Sequence, residues 1–315
     1  MSGFLLRRLG MLVLTLLASS IVIYAALYLA PGTPLSALTG GRPLPEETIR
    51  VLEQKYHLDD PVLVGYWHWL NGAMHGDFGT SFVQRVPVTD LIAPRALTTA
   101  ELVFYAAVLV VVFGVAIGLL GALRPGIVDS GMLISTTVLA ATPSFVAATV
   151  LISVFSVRLG WFPTLGAGDG LLDQIRHLTL PAIALATSSL ALVARVTRAS
   201  VLEEADREHV QTAQARGLPR RLIVRRHVLR NAAIPITTVT GVTIASLVAA
   251  VAVVEQAFNI DGLGAYLVEA ASSKDFAVVQ AISLLLVVAF VLTSTVVDIL
   301  YAALDPRVKL GSHTS

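Results

Sequence analysis

Cysteine is absent from the 315-residue chain, which therefore has no disulfide, no thiol nucleophile and no cysteine metal site. Lysine is almost as scarce. Lys55, Lys274 and Lys309 are the whole set, and none follows a glycine. A phosphate-cradling G-x-x-x-x-G-K-[ST] loop is excluded on that ground alone. The seven histidines, His177, His209 and His227 among them, form no H-E-x-x-H pair, and no G-x-S-x-G elbow occurs. The chain by itself is thus expected to hydrolyse no ATP, hold no dinucleotide, bind no metal and perform no covalent chemistry. Charge is the other shortage. Charged residues make up 14% of the chain, against about 25% in soluble proteins. Apolar residues make up 55%, and the mean hydropathy is +0.78. So little charge cannot cover a water-facing surface, which excludes a cytosolic enzyme and a disordered chain. The net charge of +1 suggests no nucleic-acid partner.

What the chain does have is long uncharged runs. Residues 9–30, 102–123, 131–157, 178–194, 232–254 and 276–297 contain no Asp, Glu, Lys or Arg. A helix needs about 20 apolar residues to cross the hydrocarbon, and five of these reach that length, with 178–194 marginal. Backbone polar groups in lipid must be satisfied within the segment, so the runs predict helices. Short alternating segments of the barrel type are not seen. The first run is longer than a signal-peptide core and reads as a retained helix. The third contains Pro143, which permits a tilt or a kink. The fold class expected is an all-α membrane bundle of six spans.

Lys and Arg set the orientation. With the N-terminus inside, 14 of the 22 basic residues fall on the inner side, most of them in the loop after the fourth span. Both termini are therefore expected in the cytoplasm. The chain divides into 1–30 (tail and first span), a 31–100 extracytoplasmic segment, and a 101–315 core with five spans and an inner loop at 199–231.

The outer segment reads as two short helices. Pro45 opens the first, with Ile49, Leu52 and Tyr56 on one face. Asp60 and Pro61 cap and open the second, with Val64, Trp67 and Leu70 following. Gly76-Asp77-Phe78-Gly79 reads as a turn. The segment is either a lid or receptor-docking surface, or a folded connector. The inner loop holds seven arginines against Glu203, Glu204, Asp206 and Glu208, and short amphipathic helices broken at Gly217-Leu218-Pro219. On charge alone, that loop is also what lipid headgroups would attract.

Acids near the spans are few. Glu101, Glu255 and Asp298 fall just outside the apolar runs and are expected to be interfacial and hydrated. A structural charge pair between Asp298 and Arg195 or Arg198 is a further expectation. No acid lies at the centre of a span, which argues against a proton-coupled carrier. Pro143, Ser144, Thr187, Ser188, Ser189, Thr237, Thr238 and Thr240 suit either a weakly polar path or close helix packing.

The inner loop carries a resemblance. Glu208-His209-Val210-Gln211-Thr212-Ala213-Gln214-Ala215-Arg216-Gly217-Leu218 and Arg226-His227-Val228-Leu229-Arg230-Asn231-Ala232-Ala233-Ile234-Pro235 resemble the cytoplasmic loop of bacterial ABC-importer permeases. The second stretch is similar to the dipeptide/oligopeptide/nickel branch. Where the general motif carries Glu-Ala-Ala, this chain holds Gln211, Thr212 and Ala213, with Gly217 kept. Leu29-Ala30-Pro31-Gly32, Gly76-Asp77-Phe78-Gly79-Thr80-Ser81, Thr142-Pro143-Ser144-Phe145 and Leu159-Gly160-Trp161-Phe162-Pro163 are also similar to that family. So are His177-Leu178-Thr179-Leu180-Pro181, Phe258-Asn259-Ile260-Asp261-Gly262-Leu263-Gly264 and Tyr301-Ala302-Ala303-Leu304-Asp305-Pro306-Arg307, in the family's order.

The resemblance implies a permease subunit of the bacterial cytoplasmic membrane with a type I ABC importer fold. It implies half of an ATP-driven import pathway for di- or oligopeptides, with nickel or a small solute such as glutathione as the alternative. A homologous second permease, two ATP-binding subunits, an extracytoplasmic solute-binding protein and membrane lipid are the partners implied. ATP and Mg would be bound by the ATPases and no cofactor by this chain. The implied docking loop comprises Gln211, Thr212, Ala213, Ala215, Arg216, Gly217, Arg225 and Arg226, with Ala213 and Ala215 allowing close approach. The spans that flank this loop are expected to line the path, with Pro143, Ser144, Ser188, Thr237 and Thr240 as its candidate residues.

Overall fold

A computed structural model describes residues 2–29 and 61–304, all side chains excepted at 2–6, 27–29, 298 and 300–304. The architecture is all helical. Among the described residues the only strand-like pairing is one bridge between Thr80 and Pro87. We number the helices α1 (Ser2–Leu29), α2 (Val62–Met74), α3 (Val88–Leu123), α4 (Ile127–Ala141) and α5 (Ser144–Arg158). They continue as α6 (Leu171–Ala205), α7 (Glu208–Ala215), α8 (Arg220–Ala257), α9 (Leu263–Ser272) and α10 (Phe276–Leu304). Single π-type turns widen α3 at Val110–Gly114, α5 at Ile152–Arg158 and α8 at Val224–Val228.

Five helices are long and apolar enough to span a membrane, and six if the bent pair α4 and α5 counts as one crossing. Three expectations change in detail. The marginal run at 178–194 lies inside a 35-residue helix, because Asp173, Arg176, Arg195 and Arg198 interrupt the apolar run without interrupting the helix. The run at 102–123 is the second part of a helix that starts at Val88. The run at 131–157 takes the kink that Pro143 permits, and takes it sharply. Its halves meet at 105°. Pro143 disfavours helical backbone in the residue before it, and Thr142 is extended at φ −87° and ψ 114°.

The expected outer helix after Asp60 begins at Val62 with Pro61 as its cap residue. The helix expected after Pro45 lies outside the described residues, as does Asp60 itself. The chain forms two compact units. One is Glu101–Ile260 with the described part of Leu292–Ser315, and the other the described parts of Ser2–Ala100 and Asp261–Val291. Residues 61–100 thus share a unit with 261–291, a partnership that sequence order does not show.

In the first unit α6 is the central post. It packs along α3, α4, α5 and α8. Of its most apolar 18-residue stretch, 61% is buried within the chain, against 11% for α1. The core around it includes Leu102, Val110, Ala148, Leu185, Leu247 and Phe258. Gly118 of α3 lies so close to α6 that a Cβ there would overlap the Ala194 carbonyl and the Thr197 side chain. Glycine is what lets these two backbones meet.

In the second unit, Val88, Ile92, Leu263, Tyr266, Val278 and Ile282 form a separate core. Tyr24 of α1 stacks near Tyr66 and Trp69 of α2, and Ser20 shares a 2.8 Å hydrogen bond with Tyr66 Oη. The exposed remainder of α1, with Leu9, Leu14 and Val22, is of the composition that hydrocarbon accommodates.

Candidate functional site

The loop between α6 and α8 is built around α7. Along α7, Val210 and Ala213 are three residues apart and share one face. Both are buried with Val201, Ile223, Val228 and Ala232, against the partly buried Leu119, Ala122 and Leu123. Fully burying a valine contributes about 1.5–3 kcal/mol, so this small cluster is what holds α7 to the ends of α3, α6 and α8. An open cavity of about 360 Å³ remains beside it, lined by Ala122, Leu202, Gln214, Leu218 and Arg220 among others.

The C-terminus of α7 closes in a Schellman motif. Gly217 N–H donates to Gln214 O at 2.9 Å, and Leu218 N–H donates to Ala213 O at 3.2 Å. Gly217 stands at φ +73°, where a side chain on an L-residue is strained even though the space around it is open. Pro219 then opens the first turn of α8.

The opposite face of α7 is bare. Gln211, Thr212, Ala215 and Arg216 are exposed, as are Arg225 and Arg226 on the widened turn of α8. Gln211 Nε2 and Thr212 Oγ1 donate to the backbone carbonyls of Asp206 and Glu208 at 3.1 and 2.9 Å. The eight residues of the implied docking loop therefore come together. Ala213 is the exception in orientation. It is 4% exposed and faces the chain's own core, so the close approach it permits is internal. Ala215 is the alanine on the bare face.

The path residues are spread over three packed helices. Pro143 is exposed and Ser144 half-buried at the α4–α5 break. Ser188 is exposed on α6, and Thr237 is half-buried on α8. Thr240 is buried, and its hydroxyl has no hydrogen-bond partner among the described residues.

The acids depart from expectation. Glu255 is fully buried rather than hydrated, because α8 continues past the apolar run to Ala257 within the core. Glu101 is half-buried. Arg198 donates to Asp129 of α4, through Nε to Oδ1 and through Nη2 to Oδ2 at 2.7 Å, a two-pronged pair that ties α4 to α6. Arg198 thus has a partner other than Asp298. Arg195 is exposed, and the Asp298 side chain lies outside the described residues.

A second polar assembly was not foreseen. Asp275, 2% exposed, accepts from Ser81 Oγ, from Phe82 N–H at 3.1 Å and from Val83 N–H at 3.3 Å. This anchors a tight hairpin in which Ser81 N–H donates to Val86 O and Val88 N–H to Gly79 O, both at 2.9 Å. The expected turn at Gly76–Gly79 leads into it, with Gly79 N–H donating to Asp77 Oδ1. Nearby, Arg95 donates to Asp261 at 2.6 Å and lies 4.1 Å over the Tyr266 ring. Burial raises the Tyr266 phenol above its ordinary pKa, with the Arg95 charge opposing, and the neutral phenol accepts from Gln84 Nε2 at 3.2 Å. The sequence signal for this site was the Gly76–Ser81 motif; its partner, 194 residues on, carried none.

Five or six helices long and apolar enough to cross a membrane define a multi-pass membrane protein. The chain belongs to the binding-protein-dependent transport system inner membrane components: that family's model matches residues 96–310, and the model of its N-terminal part matches residues 1–103. It is 36% identical over 310 residues to the glutathione transport system permease protein GsiC of Escherichia coli (strain K12), covering 98% of this chain and 99% of that one. The Salmonella typhimurium protein of the same name is 37% identical over 311 residues, with the same coverage. Among solved structures, two crystal forms of the MetNI methionine ABC transporter in inward-facing conformations match at TM-scores of 0.52 and 0.55. Each is 20% identical, covering 68% of this chain and 96% of that one. The type I ABC importer permease fold expected from the sequence is the fold observed, and the chain is a permease subunit of an ABC importer.

Proposed function

We propose that the chain forms half of an import pathway for short peptides and couples it, through the bare face of α7, to a separate ATPase. The observation that carries the coupling role is the construction of α7. Its apolar face is satisfied inside the chain, its end is set by Gly217, and Gln211, Thr212, Ala215 and Arg216 are left for a partner. A short helix seated in a partner's groove, with arginines meeting acids around it, is a known mode of recognition. Two ATP-binding subunits would hold ATP and Mg. A second permease of the same family would complete the path, a solute-binding protein would deliver substrate, and lipid would surround the spans. Fourteen of the 22 basic residues favour cytoplasmic termini and a cytoplasmic α7. ATP binding would then close the ATPases and move the docked helices as rigid bodies.

For substrate, the similarity to permeases named for glutathione favours a tripeptide-sized cargo. Glutathione, itself a modified tripeptide, is the second reading within that class. Thr237 and Thr240 on α8 and Ser144 and Ser188 near it are the side chains we place along the path. Proteoliposomes carrying the full transporter test this reading with three probes: glutathione, trialanine and nickel ion. ATP-dependent uptake of either peptide probe supports it. Uptake of nickel alone overturns the peptide class, and failure of ATPase subunits to co-purify overturns the coupling role.

A further inference from the structure

One carboxylate gathers three elements at the α7 loop. Glu204 stands in the last turn of α6 and is 15% exposed. Asn231, in the first turn after the widened turn of α8, donates from Nδ2 to Glu204 Oε1 at 2.8 Å. His209 of α7 places Nε2 3.2 Å from the same oxygen, an ion pair when the ring is protonated, and 3.5 Å from Asn231 Nδ2, a hydrogen bond that links α7 to α8 directly. Arg207, in the link between α6 and α7, brings Nε to 3.8 Å from Oε2, while its other arm pairs with exposed Glu203 at 2.8 Å. The rings of His209 and His227 lie 6.2 Å apart on the same side. Among the described residues, Glu204 of α6 is thus approached by side chains of both α7 and α8.

The apolar cluster beneath α7 cannot do the same work. Contacts among Val201, Val210, Ala213 and Val228 resist separation but have no direction, so they tolerate sliding and rotation. Hydrogen bonds fall off steeply with angle and so fix register. Bonds to a charged, largely shielded acceptor are the stronger kind, whereas the exposed Arg207–Glu203 pair contributes little. We propose that Glu204 is a positioning residue for energy coupling. It locks α7 to the ends of α6 and α8, so that a push on α7 moves both long helices in register. This rests on the docking role given to α7.

The absence of cysteine makes the test direct. Cysteines at exposed Glu208 on α7 and exposed Ala233 on α8, both outside the docking face, carry spin labels. The complex with its ATPases is measured nucleotide-free and trapped with ATP and vanadate. In the otherwise unaltered chain the distance distribution is narrow and the same in both states. Glu204→Ala and Asn231→Ala each widen it about twofold on trapping, and the double variant is no wider than either, because partners in one network are not additive. Glu204→Gln restores the narrow distribution, since its amide oxygen still accepts from Asn231. ATPase co-purification is kept throughout. A narrow, state-independent distribution in both alanine variants overturns the proposal. So does loss of the ATPases from them, which would make the clasp part of the docking surface itself. Failure of the docking reading shows separately, as absence of ATPases from the unaltered chain.

Discussion

Asp275 and Glu204 each gather several polar groups around one carboxylate, and they do so with different kinds of group. Asp275 is 2% exposed and takes two backbone amides and a serine hydroxyl from the hairpin. Glu204 is 15% exposed, accepts a hydrogen bond from the Asn231 side chain, and has His209 Nε2 and Arg207 Nε at 3.2 and 3.8 Å. A backbone amide cannot leave its acceptor unless the loop unfolds, whereas a side chain can rotate away and return. The hairpin is therefore a stiff anchor. The α7 loop is held by a small apolar cluster and set in register by side-chain contacts to Glu204.

The sharpest way to break the comparison is to ask whether the two regions face opposite sides of the membrane. A cysteine at exposed Val83 of the hairpin is expected to react with an impermeant maleimide in intact cells. One at exposed Arg221 is expected to react only after permeabilisation. Labelling of Arg221→Cys from outside reverses the proposed orientation.

Next in size are changes that should abolish coupling. Ala213→Asp places a charge among Val201, Val210 and Ile223, and Gly217→Val forces a β-branched residue to φ +73°. The left-handed backbone alone costs about 1–2 kcal/mol for an L-residue. Both variants are expected to insert normally, since the spans are untouched, and to lose ATPase co-purification and uptake. Normal ATPase binding in both would remove α7 from the docking role.

The hairpin should respond in stability rather than in coupling. Asp275→Ala leaves Ser81, Phe82 N–H and Val83 N–H without their acceptor in a buried site. The expected loss is about 1–3 kcal/mol for each buried donor left unsatisfied, seen as a lower melting temperature in detergent. An unchanged melting temperature would mean that water replaces the carboxylate and the anchor is not stiff. The smallest effect is expected from Arg225→Glu. Arg225 is exposed, so the fold should be indifferent while ATPase affinity falls by a measurable fraction. Equal affinity would assign this arginine to lipid headgroups.

The spans were legible because membrane insertion is a matter of local composition: twenty uncharged residues suffice, wherever they sit. The short helix of the inner loop was legible for a related reason. The helix and its glycine stop lie within ten residues, Glu208 to Gly217, and a Schellman end is a local structure. The orientation of Ala213 was not legible, since a short helix shows its sequence but not which face its neighbours cover. The position of Glu255 misled for the same reason: an acid beside an apolar run reads as interfacial until the packing around it is known.

What only the tertiary structure decided are the pairings across sequence distance. Asn231 meets Glu204 over 27 residues, Arg198 meets Asp129 over 69, and Ser81 meets Asp275 over 194. None of these partners has a local signature, because a carboxylate at a helix end or in a turn is ordinary until a donor arrives from elsewhere. The break at Pro143 is intermediate. The sequence marks the place where the helix must yield, but the 105° turn depends on what α4 and α5 pack against. Composition along the chain thus determined which segments enter the membrane and where α7 ends. The close approach of α3 to α6 at Gly118, together with the two carboxylate clasps, was decided by packing, since each needs surfaces that meet only in the folded chain.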